Sequence, residues 1–259
     1  MKKRTENFKE LVSIMERLRS PQGCPWDREQ TLESLRTYLI EEVYEIIEAI
    51  EGRDPEALKE ELGDLLFHIL FLSRIAEERG EFDIWGVIDR ISKKMVSRHP
   101  HVFGKKKVSS SREVEKTWSD LKEKEKGHRR SILDGIPRHL PALLRAYRIT
   151  ERASRVGFDW EKADDTLEKL DEEIEELNQA LLQGHQGKII DEVGDALFVL
   201  VNVARLTEID PEEALRRTTD KFIKRFHYIE ESLERSHKSF KEVSLEEMDR
   251  LWERAKGRE

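Results

Sequence analysis

Apolar residues recur every three or four positions along most of the 259-residue chain, which is the period of an amphipathic α-helix. This spacing predicts helices over 8–18, 31–50, 56–76, 83–98, 143–156, 166–182 and 188–206. Apolar residues lie on most sides of 56–76, so we expect that helix to be largely buried. Glycine and proline, which interrupt helices, number only 13 and 7. The pattern therefore predicts an all-α fold.

An acidic pattern occurs twice within these helices. Its first copy consists of Glu41, Glu42, Glu45, Glu61 and Asp64. Its second copy lies 131 residues further on (41 to 172, 64 to 195) and consists of Glu172, Glu173, Glu176, Glu192 and Asp195. This duplication predicts a tandem repeat of helical-bundle units. We assign 1–104 to an N-terminal repeat, 105–135 to a charged linker and 136–259 to a C-terminal repeat.

The spacing of these acids brings their carboxylates together. Helix positions i, i+1 and i+4 share one face, and so do positions i and i+3. Crowded carboxylates repel one another, which raises their pKa values unless a cation lies among them. Mg²⁺ prefers carboxylate oxygens, so each copy predicts a magnesium site in which Mn²⁺ can substitute. Because charged residues are 39% of the chain, a solvated acidic surface is the alternative, which the repetition disfavours.

A basic pair accompanies each acidic copy. Lys94 and Arg98 are one helical turn apart, and Lys221 and Arg225 repeat that spacing. Two cations one turn apart match a phosphate chain in charge and reach. A solvated basic face has the same pattern, so this reading also stays open.

Three other residues near the first copy have reactive or aromatic side chains. In the predicted loop 24–27, Trp26 either stacks on a base or caps the core. Cys24 is interpreted as a buried thiol rather than a nucleophile, since no histidine partner is evident near it. His68 follows the acids by one turn, but its counterpart in the second copy is Val199. We therefore interpret His68 as a packed residue and not a metal ligand.

Composition and charge exclude several classes of protein. The net charge of −8 argues against a general nucleic-acid binder. No apolar run is long enough to span a membrane, and the first residues do not form a signal region. A single cysteine rules out an internal disulfide and is typical of a reducing cytoplasm.

Five stretches of the chain read GCPWD (23–27), EEVYE (41–45), ELGD (61–64), RHPHVF (98–103) and VGFDW (156–160). Together they resemble the MazG family of all-α nucleoside triphosphate pyrophosphohydrolases, in its full-length form with two repeats. The resemblance implies a homodimer that hydrolyses nucleoside triphosphates, with ribose or deoxyribose and a broad range of bases. The implied products are the monophosphate and pyrophosphate, and the implied cofactor is Mg²⁺. Inorganic pyrophosphate is a further candidate substrate, since it too is a phosphoanhydride.

The resemblance also implies roles for individual residues. The metal ligands of the C-terminal repeat are Glu173, Glu176, Asp191, Glu192 and Asp195, and those of the N-terminal repeat are Glu42, Glu45, Glu61 and Asp64. The nucleotide-binding residues are Lys169, Lys188, Lys221, Arg225 and Trp252, with Lys94 and Arg98 in the first copy. By position, Glu172 or Glu41 is the carboxylate that orients or deprotonates the attacking water. The first copy has Ala57 where the second has Lys188, so nucleotide binding there is less well supported.

Other functions fit the same residues. One is a narrower pyrophosphohydrolase, specific for dUTP or phosphoribosyl-ATP. Another is a non-enzymatic helical binding module in which the acids hold metal for stability or dock a basic partner. The last is a charged helical scaffold that binds no metal.

Overall fold

The computed structural model describes residues 2–111, 113–114, 117–118, 121, 131–160 and 162–258. Within these residues all regular secondary structure is helical, which confirms the all-α prediction. The predicted linker, 105–135, lies partly outside the described residues. None of the described helices is both long enough and apolar enough to cross a membrane.

The chain divides into two compact units, Met1–Gly127 and His128–Glu259. The helices of the first unit are α1 (Lys2–Leu18), α2 (Pro25–Glu29), α3 (Leu35–Gly52), α4 (Pro55–Glu78), α5 (Ile84–Arg98) and α6 (Pro100–Phe103). Those of the second unit are α7 (Ala142–Ser154), α8 (Ala163–Gln183), α9 (Gln186–Leu206), α10 (Pro211–Arg235) and α11 (Leu245–Lys256). Each of the seven predicted helices is present, although the short helix α2 replaces a predicted loop.

Capping aspartates fix the starts of two of these helices. Asp54 precedes Pro55, and its Oδ1 accepts hydrogen bonds from the backbone N–H groups of Glu56 and Ala57 at 3.0 and 3.2 Å. Asp210 caps α10 in the same way. An aspartate cap followed by proline suits a helix start, because it satisfies free N–H groups and presets the backbone. The cap on α4 thereby sets the register of the acids two turns further along.

Each unit has its own apolar core. In the first unit the buried cluster draws on α1, α3, α4 and α5, and it consists of Met15, Leu35, Leu70, Phe71, Ile75 and Ile84. In the second unit α9, α10 and α11 supply buried residues that include Val199, Val201, Ile229, Leu233 and Ala255. The helices that carry the acids are therefore anchored in a core at one side.

The other side of these helices is apolar and exposed. α3 packs along α4, and α8 packs along α9. Val43 and Leu62 are nevertheless 45% and 50% exposed, and their counterparts Ile174 and Val193 are 44% and 43% exposed. The expectation that helix 56–76 is largely buried is therefore wrong for this face. A pair of helices can bury only the stripes that face its neighbours, so the outer stripe needs a further surface to cover it.

Candidate metal and nucleotide site

Three glutamates converge in the first unit. Glu42 and Glu45 on α3 each bring one carboxylate oxygen close to Glu61 on α4, and the three oxygens lie within 4.8 Å of one another. We call these residues the first cluster. The i, i+3 spacing puts the two α3 acids on one face, and the packing of α4 supplies the third.

The second unit repeats this arrangement. Glu173 and Glu176 on α8 and Glu192 on α9 also place one oxygen each within 4.8 Å of the others. We call these residues the second cluster. Glu173 is its most enclosed member, with only 5% of its surface exposed. Three carboxylate oxygens at this separation can share one divalent cation.

The electrostatics of both clusters favour a cation. Desolvation, followed by the charges of Glu45 and Asp64, raises the pKa of Glu61. Desolvation, followed by the charge of Glu176, raises the pKa of Glu192. A raised pKa means that ionisation costs more here than in water, because no positive charge compensates the crowded carboxylates. A bound divalent ion would remove that cost.

A lysine already occupies part of the second cluster. Lys169 Nζ lies 2.7 Å from Glu173 Oε1 and 3.0 Å from Glu172 Oε2. The hydrogen bond to Glu173, followed by that to Glu172, raises the pKa of Lys169 well above its usual range. Two of the predicted roles, a nucleotide-binding lysine and a free carboxylate for the water, thus fall on residues that contact each other.

The first cluster has a histidine neighbour instead. His68 Nε2 lies 3.2 Å from Glu42 Oε1, and the ring of Tyr38 stacks on His68 with centroids 6.0 Å apart. Glu42 Oε2 is buried and has no hydrogen-bond partner among the described residues. His68 is packed, as expected. An acceptor oxygen that is buried without a donor is well suited to a metal ion.

The remaining predicted acids surround the clusters without joining the close groups. Asp64 and Asp195 lie one turn beyond Glu61 and Glu192 on the same helices, and their charges help to raise the pKa values of those two residues. Asp191 is exposed next to Glu192, and Glu41 is exposed next to Glu42. These four acids are therefore placed to complete a shell around each cluster.

The predicted base-stacking residue has an aromatic and cationic environment. Arg225 lies over the ring of Trp252, with Cζ 5.4 Å from the ring centroid, and the Phe222 ring is 5.0 Å away. Lys221 is exposed one turn before Arg225 on α10. Lys188 lines a surface cavity together with Glu176 and Glu192. A second predicted lysine thus lies beside the second cluster.

The structure adds Trp118, which the sequence analysis did not include among the site residues. Arg98 Cζ lies 5.1 Å from the Trp118 ring centroid, and Arg98 is only 3% exposed. An arginine over a tryptophan therefore occurs in both units. The matching positions of Trp118 and Trp252 in the repeat were the signal. Lys94 is separate from this pair and lines another surface cavity with Phe82.

The two loop residues near the first cluster are partly accessible. Trp26 is 50% exposed, so it does not cap the core, and its ring lies edge-on to Tyr38 with centroids 6.1 Å apart. Cys24 is half-buried.

The chain matches the model of a known domain family in both units. The matched family is described as the MazG nucleotide pyrophosphohydrolase domain, and the matched residues are 30–103 and 161–229. Each matched region contains one complete cluster.

Individual relatives agree with this match. The Nucleoside triphosphate pyrophosphohydrolase/pyrophosphatase MazG of Thermotoga maritima is 47% identical over 96% of this chain and 96% of its own length. A nucleoside triphosphate pyrophosphohydrolase of Escherichia coli K12 is 41% identical over 96% of this chain and 97% of its own length. A solved structure, that of a mazG-related protein from Thermotoga maritima, covers 44% of this chain and 97% of its own, with 32% identity and a TM-score of 0.39.

Proposed function

Because the chain belongs to the MazG family of nucleotide pyrophosphohydrolases, we propose that it hydrolyses nucleoside triphosphates to monophosphate and pyrophosphate. The observation that carries this proposal is the second cluster, where three glutamates converge beside two lysines. Carboxylates bind a metal ion and lysines bind phosphate, so the two chemistries of a metal–nucleotide complex meet there.

The proposed cofactor is Mg²⁺, and Mn²⁺ can replace it. Glu173, Glu176 and Glu192 would hold the ion in the second unit, with Asp195 and Asp191 beside them. Its chemistry would be to lower the pKa of a bound water and to neutralise charge on the phosphate oxygens. The donor set fits, since a hard cation takes oxygen ligands and would relieve the carboxylate crowding that raises the pKa of Glu192.

The protein groups around that metal site have separate tasks. We assign Glu172 to the attacking water, which it would orient or deprotonate once Lys169 no longer holds its carboxylate. Lys188, Lys221 and Arg225 would bind the triphosphate and stabilise the negative charge of the departing pyrophosphate.

Trp252 is the proposed platform for the base. Stacking of a base on an aromatic ring contributes roughly 1–3 kcal/mol and tolerates every base, because each base has a π-face. This supports a broad substrate range that includes ribose and deoxyribose nucleotides. The ring is half-buried beside Arg225, which keeps it in a fixed orientation.

We propose that 1–104 and 136–259 are two repeats of one ancestral unit and that the first repeat also binds metal. Its ligands would be Glu42, Glu45, Glu61 and Asp64, with Glu41 in the position of Glu172. For phosphate it would use Lys94 and Arg98. Tyr38 and Ala57 stand where the second repeat has its two cluster lysines, so weaker nucleotide binding is expected there.

The exposed apolar faces support the proposal of a homodimer. The exposed residues on α3 and α4 match those on α8 and α9 position by position, so both units present the same kind of surface. Removing such a surface from water is favourable by roughly 25 cal/mol per Å². A second copy of the chain offers an equally apolar surface and would bury both.

Inorganic pyrophosphate is a second candidate substrate. The Thermotoga maritima relative, 47% identical to this chain, has pyrophosphatase in its name as well. Pyrophosphate presents the same metal-bound phosphoanhydride as a triphosphate, without a base to stack on Trp252. We therefore expect its hydrolysis to depend on Glu173 but not on Trp252.

The test is a panel of nucleoside triphosphates, deoxynucleoside triphosphates and pyrophosphate, with Mg²⁺, in which all phosphate products are followed. Wild type is compared with Glu173→Gln, Glu42→Gln and the exposed control Glu175→Gln. We expect Glu173→Gln to abolish turnover and Glu175→Gln to leave it intact. Loss in Glu42→Gln would assign activity to the first unit as well. Turnover of dUTP or phosphoribosyl-ATP alone would establish the narrower enzyme. No turnover of any substrate, together with metal-dependent melting, would favour the binding module.

A further inference from the structure

The ammonium group of Lys169 occupies the position of a counter-cation in the second cluster. Its Nζ contacts Glu173 Oε1 at 2.7 Å and Glu172 Oε2 at 3.0 Å. The Glu173 side chain is 7% exposed, whereas the Lys169 side chain is 39% exposed. The lysine thus reaches from the surface to the most enclosed carboxylate of the cluster, and it can swing back toward solvent on its flexible stem.

The first cluster has the same glutamates but no such cation. Tyr38 stands in the register of Lys169, 131 residues earlier (38 to 169). Glu42, the counterpart of Glu173, contacts His68 through Oε1, and its Oε2 has no hydrogen-bond partner among the described residues. The two clusters therefore offer a metal ion different starting states, one with a lysine in place and one without.

We propose that Lys169 is a built-in competitor of the metal ion, which leaves Glu173 when a divalent cation binds and then contacts the phosphate chain of the substrate. This inference rests on the proposed function and names the residue that links its two ligands. The ammonium group and the metal ion both require the carboxylate of Glu173, so they cannot use the same oxygen together.

This exchange couples the two ligands. A metal ion that binds alone must break the contacts of Lys169 with Glu173 and Glu172. A nucleotide gives the released lysine a new anionic partner, which reduces that cost. Because coupling between two binding equilibria is reciprocal, the metal ion strengthens nucleotide binding by the same factor. The first cluster lacks this route, so it binds metal without nucleotide more readily.

The test is a calorimetric titration of the full-length chain with Mn²⁺ in the absence of nucleotide. Glu42→Gln and Glu61→Gln are both present, so that the first cluster is silent. On this background we compare Lys169→Met, Lys169→Arg and Lys188→Met. The last is the matched control, since Lys188 lines the same cavity and its loss removes the same charge. A charge-assisted hydrogen bond with a partly exposed lysine predicts that Lys169→Met binds Mn²⁺ about tenfold more tightly.

We expect Lys188→Met to gain about threefold or less, because it changes only the surrounding field, and Lys169→Arg to stay close to the parent. The titration is repeated with a nucleotide whose α and β phosphorus atoms are joined by methylene. This analogue should tighten Mn²⁺ binding to the parent and should tighten it less in Lys169→Met. Equal gains in Lys169→Met and Lys188→Met would overturn the proposal, because the effect would then be one of charge alone.

A reciprocal substitution tests the same idea in the first cluster. With Glu173→Gln and Glu192→Gln silencing the second cluster, Tyr38→Lys should weaken Mn²⁺ binding about tenfold, and Tyr38→Met should not. If Tyr38→Lys binds as tightly as Tyr38→Met, a lysine in this register does not compete and the proposal is wrong. Absence of Mn²⁺ binding in every variant would instead remove the metal sites, and with them the proposed function.

Discussion

Arg98 and Trp118 form the same pair in the first unit that Arg225 and Trp252 form in the second. The guanidinium carbon lies 5.1 Å from the ring centroid in the first pair and 5.4 Å in the second. A guanidinium over an indole ring is attracted by the negative face of the ring. Such a pair holds an aromatic ring in place beside a positive charge, which suits a base attached to a phosphate chain.

The first prediction concerns this ring. Trp252→Ala should raise KM about 5- to 100-fold and lower kcat much less, since base stacking of roughly 1–3 kcal/mol is lost mainly from binding. Steady-state kinetics with several nucleotides measure both constants. Trp252→Phe keeps an aromatic face and should retain most of the affinity. Unchanged KM in the alanine variant would show that the base lies elsewhere.

Trp118→Ala is the matching substitution in the first unit. If only the second unit turns over substrate, this variant should leave kcat and KM within about twofold of wild type, because Trp118 belongs to the other unit. A loss as large as that of Trp252→Ala would mean that the first unit binds substrate too.

The charge of Glu192 should destabilise the metal-free chain. Desolvation raises its pKa, so the folded chain holds that proton more tightly than the unfolded chain does. The ionised carboxylate therefore opposes folding at neutral pH. We expect Glu192→Gln to raise the Tm of the metal-free chain at pH 7. This advantage should shrink as the pH falls through the raised pKa, where the wild-type carboxyl is protonated as well.

Mg²⁺ should reverse this order. The ion stabilises the folded chain that binds it, so it should raise the Tm of wild type more than that of Glu192→Gln. Differential scanning calorimetry with and without Mg²⁺ measures both effects. Glu175→Gln, an exposed change on α8, is the control and should respond to Mg²⁺ as wild type does. An equal response of Glu192→Gln would remove this residue from the metal site.

The core of the first unit gives a stability prediction. Phe71 is 1% exposed and packs edge-on against Phe67, with ring centroids 6.2 Å apart. Phe71→Ala should lower the free energy of unfolding by about 3–5 kcal/mol, since it removes apolar contacts and leaves a cavity. Phe82→Ala, at a residue that is 52% exposed, should change it by about 0.5 kcal/mol or less. Urea denaturation compares the two, and similar losses would place Phe71 outside the core.

The apolar faces give a prediction about assembly. Val43→Glu combined with Ile174→Glu places a charge on the exposed face of each unit, which opposes burial against a second copy. Light scattering after gel filtration should show a dimer for wild type and a monomer for this variant. Leu245→Glu, at a residue that is 71% exposed on α11, should remain dimeric. A monomeric wild type would contradict the proposed homodimer.

The sequence predicted the helices and the two acidic sites because both depend on spacing along one helix. Glu42 and Glu45 share a face by geometry, and the repeat indicated that Glu61 joins them. The contact between Lys169 and Glu173 has the i, i+4 spacing of an ion pair, yet the pattern alone does not distinguish that pair from a lysine that faces a nucleotide. The neighbours of His68 depend on how α3 packs on α4, which spacing does not specify. The exposure of Val43 depends on what lies outside the chain.

The exposed apolar faces also matter while the protein is being made. The first unit, Met1–Gly127, leaves the ribosome before the 132 residues of His128–Glu259 are complete. At about 5–20 residues per second, synthesis of the second unit takes roughly 7–26 s. During that interval the α3 and α4 face of the nascent first unit is already formed, but the chain that would carry the second face is unfinished. Newly made chains on one messenger therefore present sticky surfaces to one another, and a chaperone that shields them would favour ordered pairing over aggregation.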